Sequence, residues 1–305
     1  MTLAVVFYSA DGHGRDVNGV QGPLMRWSRA NPAPDLIVYG GDVYNDGTPE
    51  EFQRMLAEMG GDVSKVCHTP GNHCWRTMTV GANGGRYPSG YEGFWKQHPP
   101  PASAQPIDTS KTAGARYEHH IDLAGWRLIF LDTGPCTDHK APWPMGDASR
   151  LQWLKAALAT PGRAKIVFAH HSRLSHGKHG DIKEVDGLWQ ALFDDQGVPL
   201  AALTMAGHDH NLSVYGPRPR HQPEKGSVDF SRGIHIVVNG AGGRGHDVAW
   251  RGTRPDLHSD DDNYFLTRIT LHDQARATLE FLDFGPRKTP AIAAPPPRFT
   301  LQLQV

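Results

Sequence analysis

Two histidines one residue apart, His208 and His210, directly follow a short apolar run at residues 200–206. Such a run is typical of a buried strand, and Gly207 leaves room for the backbone to turn at its end. The two imidazoles can therefore point into one cavity. The pair is stronger evidence for a metal site because four further apolar runs end at side chains that can bind a metal ion. These side chains are Asp11 and His13 after residues 3–8, Asp42 after residues 36–39, Asn72 and His73 after residues 65–67, and His170 after residues 166–168.

The five strand ends are expected to meet at one rim, because ligands of open α/β sheets bind beyond the carboxyl ends of the strands. Their donors are carboxylates, imidazoles and one amide oxygen, which suits zinc, manganese or iron and disfavours a structural cysteine site. So many donors exceed the needs of one catalytic zinc ion, but they suit two divalent ions about 3.5–4 Å apart with a bridging carboxylate. The predicted metal ligands are Asp11, His13, Asp42, Asn72, His170, His208 and His210.

Two ions at that separation predict a reaction class. They lower the pKa of a shared water towards roughly 7 and bind both non-bridging oxygens of a phosphate group. The residues alone therefore predict the hydrolysis of phosphoesters.

Composition and charge limit the classes of partner that the protein is expected to bind. The chain has 305 residues and a formal net charge of −1, with a pI near 7.0, so no global field attracts nucleic acid or an anionic membrane. No apolar run approaches the roughly 18–20 residues of a membrane span. The three cysteines, Cys67, Cys74 and Cys136, lack a paired spacing. They fit a reducing compartment, so we expect a cytoplasmic protein; a signal peptide removed ahead of Met1 is the alternative.

Local patterns predict the elements that must position the ligands. Thr48 as N-cap, Pro49 in the first turn and Glu51 closing a capping box predict a helix whose apolar face runs from Phe52 to Met59. Further helices are predicted near residues 24–29, 147–158 and 185–193. Further strands are predicted at residues 117–123 and 126–132, which form a hairpin, and at 165–169, 234–238, 264–270, 277–284 and 300–305.

Two stretches lack such periodicity. Residues 76–115, rich in Gly, Pro and Ser, predict a long loop that walls the substrate pocket, and residues 286–305 predict a Pro-rich C-terminal tail. No internal repeat or interior linker is visible, so residues 1–305 are predicted to form a single domain. Candidates for substrate binding are Trp75, Arg76, Tyr87 and Tyr91.

The ordered motifs resemble those of the calcineurin-like metallophosphoesterases. They are D-x-H at residues 11–13, G-D at 41–42, G-N-H at 71–73, the lone His170, and G-H-x-H at 207–210. Residues 131–133, 151–155, 167–170, Ser175, His179, 207–211 and 239–242 resemble the purple, tartrate-resistant acid phosphatases in particular. The resemblance implies a four-layer αββα sandwich of two mixed β-sheets flanked by helices, with a dinuclear metal site at the C-terminal ends of the strands.

The resemblance also implies individual roles. One ion would be bound by Asp11, His13, Asp42 and His210, and the other by Asp42, Asn72, His170 and His208. His73 would stabilise the phosphoryl oxygens or protonate the leaving group, and His179 is the second candidate for a general acid. A metal-activated hydroxide would attack phosphorus in line with the leaving oxygen.

Three positions depart from the purple acid phosphatase pattern. His13 stands where those enzymes have Gly, and Asn45 stands at their tyrosine ligand, with Tyr44 one residue early. We therefore expect a colourless enzyme that uses Zn, Mn or Fe(II). Cys74 replaces the acidic residue that usually follows G-N-H and orients the histidine. Its absence predicts that His73 is the weaker acid and that His179 carries more of the proton transfer.

The sequence leaves three functions open. A metal-dependent phosphomonoesterase acting on a small-molecule phosphoester is the leading prediction. A phosphodiesterase, for instance on cyclic nucleotides, is the alternative, since D-x-H also occurs in such enzymes. A non-catalytic scaffold of the same fold is the third. We expect no nucleic-acid or membrane partner, and the sequence does not predict an oligomeric state.

Overall fold

The computed structural model describes residues 1–12, 33–43, 45–75, 77, 79–80, 86–87, 90–106, 118–133, 148–246, 250–285 and 297–304. Its helices and strands, in chain order, are β1 (Thr2–Ser9), β2 (Leu36–Tyr39), α1 (Pro49–Glu58), β3 (Val66–His68), β4 (Thr79–Val80), β5 (Arg86–Tyr87), α2 (Gly90–Gln97), β6 (Gln105–Pro106), β7 (His119–Leu123), β8 (Trp126–Phe130), α3 (Ala148–Leu158), β9 (Ala164–Phe168), α4 (Asp186–Ala191), β10 (Leu203–Ala206), β11 (Leu212–Arg218), β12 (Ile234–Asn239), β13 (His258–Asp260), β14 (Phe265–His272), β15 (Arg276–Asp283) and β16 (Pro297–Gln304).

These strands form two large mixed sheets. The six-stranded sheet has the order β16-β15-β14-β1-β2-β3, in which β1, β2 and β3 are parallel and β14, β15 and β16 are antiparallel to their neighbours. The eight-stranded sheet has the order β13-β11-β12-β10-β9-β8-β7-β6. Its parallel centre consists of β8, β9, β10 and β12. The parallel strands of each sheet deliver their carboxyl ends to one edge.

Three of the clusters of buried apolar side chains show how the sheets and helices pack. One cluster lies between the sheets, where Val6 and Val38 of one sheet meet Phe168 and Met205 of the other. A second cluster packs the outer face of the eight-stranded sheet against α3 and α4, and a third packs the outer face of the six-stranded sheet against α1 and α2. Helices thus cover both outer faces, and the predicted four-layer αββα sandwich is confirmed.

Helix α1 begins where its capping residues predict. The Glu51 backbone N–H donates to Thr48 Oγ1 at 3.2 Å, and the Thr48 N–H donates to a Glu51 carboxylate oxygen at 3.0 Å. Both bonds satisfy backbone donors that have no partner inside the helix. Phe52 and Met55 on its apolar face are buried against the sheet. This element is therefore determined locally.

One predicted irregular stretch contains regular structure instead, because helix α2 and short strands lie within residues 76–115. The final strand predicted at residues 300–305 is present as β16, which begins three residues earlier. Strand β16 alternates between buried and exposed side chains along β15, as expected of a strand at the edge of a sheet. Pro297 is its first residue, a position where a missing N–H is tolerated. The helix predicted near residues 24–29 lies outside the described residues.

Among the described residues, no helix is long and apolar enough to cross a lipid bilayer.

Candidate metal centre

Two aspartates follow β1 and β2 in a backbone conformation that non-glycine residues rarely adopt, with φ of 53° at Asp11 and 50° at Asp42. Each carboxylate has one oxygen bound by a backbone N–H. The His208 N–H donates to Asp11 Oδ2 at 2.7 Å, and the His73 N–H donates to Asp42 Oδ1 at 2.8 Å. The strained turns and these bonds leave one oxygen of each carboxylate facing the imidazoles of the site.

Two imidazoles are oriented towards those oxygens by carbonyl groups behind them. His170 Nδ1 lies 2.8 Å from the Gly40 carbonyl oxygen, and His210 Nδ1 lies 2.8 Å from the Gly245 carbonyl oxygen. Since a carbonyl only accepts, each Nδ1 carries a proton. The opposite nitrogens face the carboxylates: His170 Nε2 is 3.2 Å from Asp42 Oδ2, and His210 Nε2 is 3.8 Å from Asp11 Oδ1.

Several donor atoms of the site are buried without a hydrogen bond from any described residue, among them Asp11 Oδ1, Asn72 Oδ1 and His208 Nε2. Burying such atoms unbonded costs free energy, and a bound cation removes that cost. Within the described residues, two groups of ligand atoms lie mutually within 4.8 Å: one from Asp11, Asp42 and His170, and one from His170, His171 and His208. The carboxylate and imidazole set fits divalent metal ions.

Loop packing brings Asn72 beside this cluster. A Cβ on Gly71 would lie 2.1 Å from Asp42 Oδ1, so only glycine lets the loop after β3 approach that carboxylate. Asn72 is 5% exposed and His170 is fully buried. The structure therefore brings together five of the predicted ligands and places Asn72 on the adjoining loop, between Gly71 and His73, whereas His13 lies outside the described residues. His171, whose ring centroid is 4.4 Å from that of His208, joins the group.

The charges of the cluster are coupled. Burial raises the pKa of Asp11 to about 8, against the opposing effect of His170. Burial alone would lower the pKa of His170, but the carboxylates of Asp42 and Asp11 outweigh it and raise that pKa to about 9. For Asp42, burial is outweighed by His170 and His73, which hold its pKa well below the usual range. Burial thus favours protonation of Asp11, the neighbouring carboxylates favour protonation of His170, and the two effects act on one interacting group.

This coupling predicts proton release on metal binding. At pH 7, below both raised pKa values, a protonated Asp11 or His170 must lose its proton to become a ligand, so metal binding should release protons. Metal affinity should rise with pH and level off above about pH 9. Zinc titrations by calorimetry in buffers of different ionisation enthalpy measure the number of protons. An affinity that stays constant between about pH 6 and pH 9 would contradict the coupling.

His73 lies at the rim, beside Asp42. Its Nδ1 is 2.5 Å from the Asn45 carbonyl oxygen and its Nε2 is 3.9 Å from Asp42 Oδ2. Arg244 Nη1 lies 3.1 Å from the same Nε2. Because arginine only donates, this nitrogen accepts, and the ring proton is on Nδ1. Asn45 thus contacts the site through its backbone, and its side-chain nitrogen donates to Asp46 Oδ1 at 2.9 Å.

His179 reaches the same centre from the loop after β9. Its side chain is exposed, and its ring centroid lies 4.0 Å from that of His208. The loop is bound by Asp209, which accepts the His179 backbone N–H at 2.9 Å and the Ser175 hydroxyl. Asp181 ties the loop to Thr253, whose N–H lies 2.9 Å from Asp181 Oδ1. His73 and His179 therefore approach the cluster from two different loops.

Of the residues predicted to bind substrate, the two whose side chains are described are buried in the hydrophobic core. Trp75 and Tyr91 are 3% and 1% exposed and pack in the cluster beneath α1 and α2, so they do not line an open pocket. The Tyr91 hydroxyl bonds His68 Nδ1. Arg76 and Tyr44 lie outside the described residues, and only the backbone of Tyr87 is described. Aromatic side chains serve core packing as readily as substrate contact, and here burial decided between the two.

Cys74, at the position of the expected acid, lies in the same hydrophobic cluster. Burial raises the pKa of its thiol, and the nearby charge of Asp42 adds to that effect. A neutral buried thiol is neither a nucleophile nor a charged partner for His73.

Three residues at the centre were not predicted as site residues. His171 follows a predicted ligand directly, and Asp209 separates two of them, so proximity in sequence was the available signal. Arg244 follows the glycine-rich turn after β12, at one further strand end of the eight-stranded sheet. The strand-end pattern that identified the metal ligands extends to this strand as well.

The chain is similar in sequence to parts of two known proteins. Purple acid phosphatase 17 of Arabidopsis thaliana is 30% identical over 148 residues, which cover 43% of this chain and 38% of that protein. Glycerophosphodiester phosphodiesterase GpdQ of Enterobacter lignolyticus (strain SCF1) is 26% identical over 183 residues, covering 59% of this chain and 58% of that protein. The chain thus spans less than two thirds of the length of either relative.

The fold is shared with the purple acid phosphatase PPD1 from seeds of yellow lupin, Lupinus luteus. That structure matches 92% of this chain with a TM-score of 0.64 at 15% identity, over 52% of its own length. The sequence pattern of the family described as calcineurin-like phosphoesterase matches residues 19–212, more than half of the chain. The protein therefore belongs to the calcineurin-like phosphoesterase family.

Proposed function

We propose that this protein hydrolyses phosphoesters with two bound divalent metal ions, and that its preferred substrates are phosphomonoesters of small molecules. The main support is the cluster of carboxylate, amide and imidazole ligands at the strand ends, in which Asp11 Oδ1, Asn72 Oδ1 and His208 Nε2 are buried without a hydrogen bond from the described residues. The ligand types of the cluster and the family of the protein both favour metal-dependent hydrolysis of phosphoesters. Zinc, manganese and iron are the metals that this donor set suits.

Each side chain has a role in this proposal. Asp11, Asp42, Asn72, His170, His208 and His210, with His13, would hold the ions. Two bound divalent ions would supply an activated solvent molecule and positive charge that offsets the phosphoryl oxygens. The backbone N–H groups that bind Asp11 and Asp42 fix the direction of their remaining oxygens. His179 would donate a proton to the leaving oxygen, and His73 would orient the phosphoryl group.

Phosphodiester hydrolysis is the second candidate. The observation in its favour is the similarity to a glycerophosphodiester phosphodiesterase over 59% of the chain. Both reactions use the same metal chemistry, and they differ in whether the phosphate carries one or two ester groups. The rim of the site decides between them, because the second ester group must find room there.

The test compares p-nitrophenyl phosphate with its bis-ester, using protein purified with its metal. We expect turnover of the monoester to exceed that of the diester by about tenfold or more. The monoester has one more charged oxygen than the diester, and a hydrogen bond to a charged group is worth about 1.5–3 kcal/mol. Treatment with a chelator should abolish both activities, and added zinc or manganese should restore them. Faster diester turnover would favour the second candidate. A protein that binds no metal and hydrolyses neither ester would favour a non-catalytic scaffold.

A further inference from the structure

A segment after β12 is bound to the metal centre through its backbone. The Gly242 N–H donates to the Ala10 carbonyl at 3.1 Å, and the Arg244 N–H donates to the Asp11 carbonyl at 3.0 Å. On its far side, the Gly245 carbonyl accepts His210 Nδ1 at 2.8 Å. A Cβ on Gly242 would lie 2.1 Å from the Ala10 oxygen, so this approach requires glycine. Arg244 is therefore held between two residues of the cluster.

The side chain of Arg244 points at the catalytic rim. Its Nη1 lies 3.1 Å from His73 Nε2, which in turn is 3.9 Å from Asp42 Oδ2. Arg244 is half-buried, so part of its guanidinium remains accessible to solvent. A guanidinium has five N–H donors in a planar fork, and the bond to His73 uses one of them. Further donors can therefore contact an anion at the same place.

We propose that Arg244 binds a terminal phosphoryl oxygen of the substrate and thereby gives the site its preference for phosphomonoesters. This inference rests on the proposed function and deepens it. Guanidinium groups recognise phosphate through paired, charge-assisted hydrogen bonds. The position beside His73, on a segment bound to Asp11 and His210, places such a group at the edge of the metal cluster.

The preference follows from counting phosphate oxygens. A monoester has three terminal oxygens, so one remains for Arg244 when two contact the metal ions. A diester has two terminal oxygens, and its second ester group would occupy the place of the third. Charge acts in the same direction, because a monoester carries close to two negative charges at neutral pH. Arg244 thus adds binding energy for monoesters that a diester cannot use.

The test compares Arg244→Met, which keeps much of the side-chain length without charge, with Arg244→Lys, which keeps the charge without the fork. Arg232→Met is the matched control, because Arg232 is exposed on a short turn before β12. Each protein is purified with its metal, and its metal content and thermal unfolding are checked. The measurements are kcat and KM for p-nitrophenyl phosphate and for its bis-ester, and the affinity for inorganic phosphate by calorimetry.

Arg244→Met should lower kcat/KM for the monoester by about 10- to 100-fold, mostly through KM, as expected for one lost hydrogen bond to a charged group. Diester turnover should change by less than about threefold, and phosphate affinity should fall as much as the monoester value. Arg244→Lys should recover part of the loss, and Arg232→Met should behave as wild type.

Equal losses for both esters with unchanged phosphate affinity would overturn the inference and leave Arg244 as a support for His73. Unchanged monoester kinetics in Arg244→Met would overturn it as well. If the metal-loaded wild type hydrolyses neither ester, the proposed function fails by itself. The phosphate titration then still decides whether Arg244 binds a phosphoryl group, because it requires no turnover.

Discussion

Replacing Asp42 by asparagine should lower kcat/KM for phosphoester hydrolysis by about 10³-fold or more, because the several kcal/mol that metal ions supply correspond to about that factor. Asp42 is the proposed bridging ligand, and its Oδ2 lies 3.2 Å from His170 Nε2. An amide lacks the negative charge that two neighbouring cations need. Elemental analysis should accordingly find about one metal ion or fewer per chain, whereas we expect about two in the wild type.

Asparagine is the informative substitution, because its amide oxygen can still accept the His73 backbone N–H that Asp42 Oδ1 accepts at 2.8 Å. The loop after β3 should therefore remain in place, and a thermal unfolding curve verifies this. Asp229→Asn is the control, since Asp229 is exposed and bonds only locally to Ser231 among the described contacts. Full turnover in Asp42→Asn, or a wild type with only one ion, would refute the dinuclear proposal.

His179→Ala should cost more in kcat than His73→Ala. Loss of a general acid typically costs about 10²–10⁴-fold, and we expect His179→Ala to fall in that range. His73 is the weaker candidate, because its Nε2 accepts from Arg244 and its Nδ1 proton is bound by the Asn45 carbonyl. The neighbouring Cys74 thiol, neutral and buried, supplies no charge to assist it.

The comparison uses substrates with good and poor leaving groups at constant pH. A lost general acid affects the poor leaving group most, so His179→Ala should lose more activity on an alkyl phosphate than on p-nitrophenyl phosphate. Metal content should remain that of the wild type in both variants. His221→Ala, at an exposed histidine, controls for the removal of an imidazole. Losses that are equal in the two variants, or larger in His73→Ala, would reject this division of roles.

Much of the fold could be read from the sequence because its signals are local. The capping box of Thr48 and Glu51 acts within one helical turn, and the structure shows both of its hydrogen bonds. The unbroken apolar runs of β1, β2 and β9 predict strands buried on both faces, and parallel pairing in a doubly covered sheet requires that pattern. The ends of those strands then identify where ligands can lie.

Other features depend on residues far apart in the chain, and local patterns carry no information about them. Helix α2 has Gly90 and Gly93 in a stretch rich in turn-forming residues, so its sequence favours a loop. The helix forms because Phe94 and Tyr91 pack against Phe52 of α1. Tertiary packing overrides weak propensity in this way, and the same packing buries Tyr91 in the hydrophobic cluster beneath α1 and α2.

The sequence by itself determined which donor residues end the strands, because polar side chains after buried apolar runs are visible without a structure. Only the tertiary structure decided which of them lie close enough for their charges to interact and which residues complete the rim. Arg244 and His73 are 171 positions apart, and no periodicity links them. They meet because one follows a strand of the eight-stranded sheet and the other a strand of the six-stranded sheet. Stacking the two sheets is what brings those strand ends together.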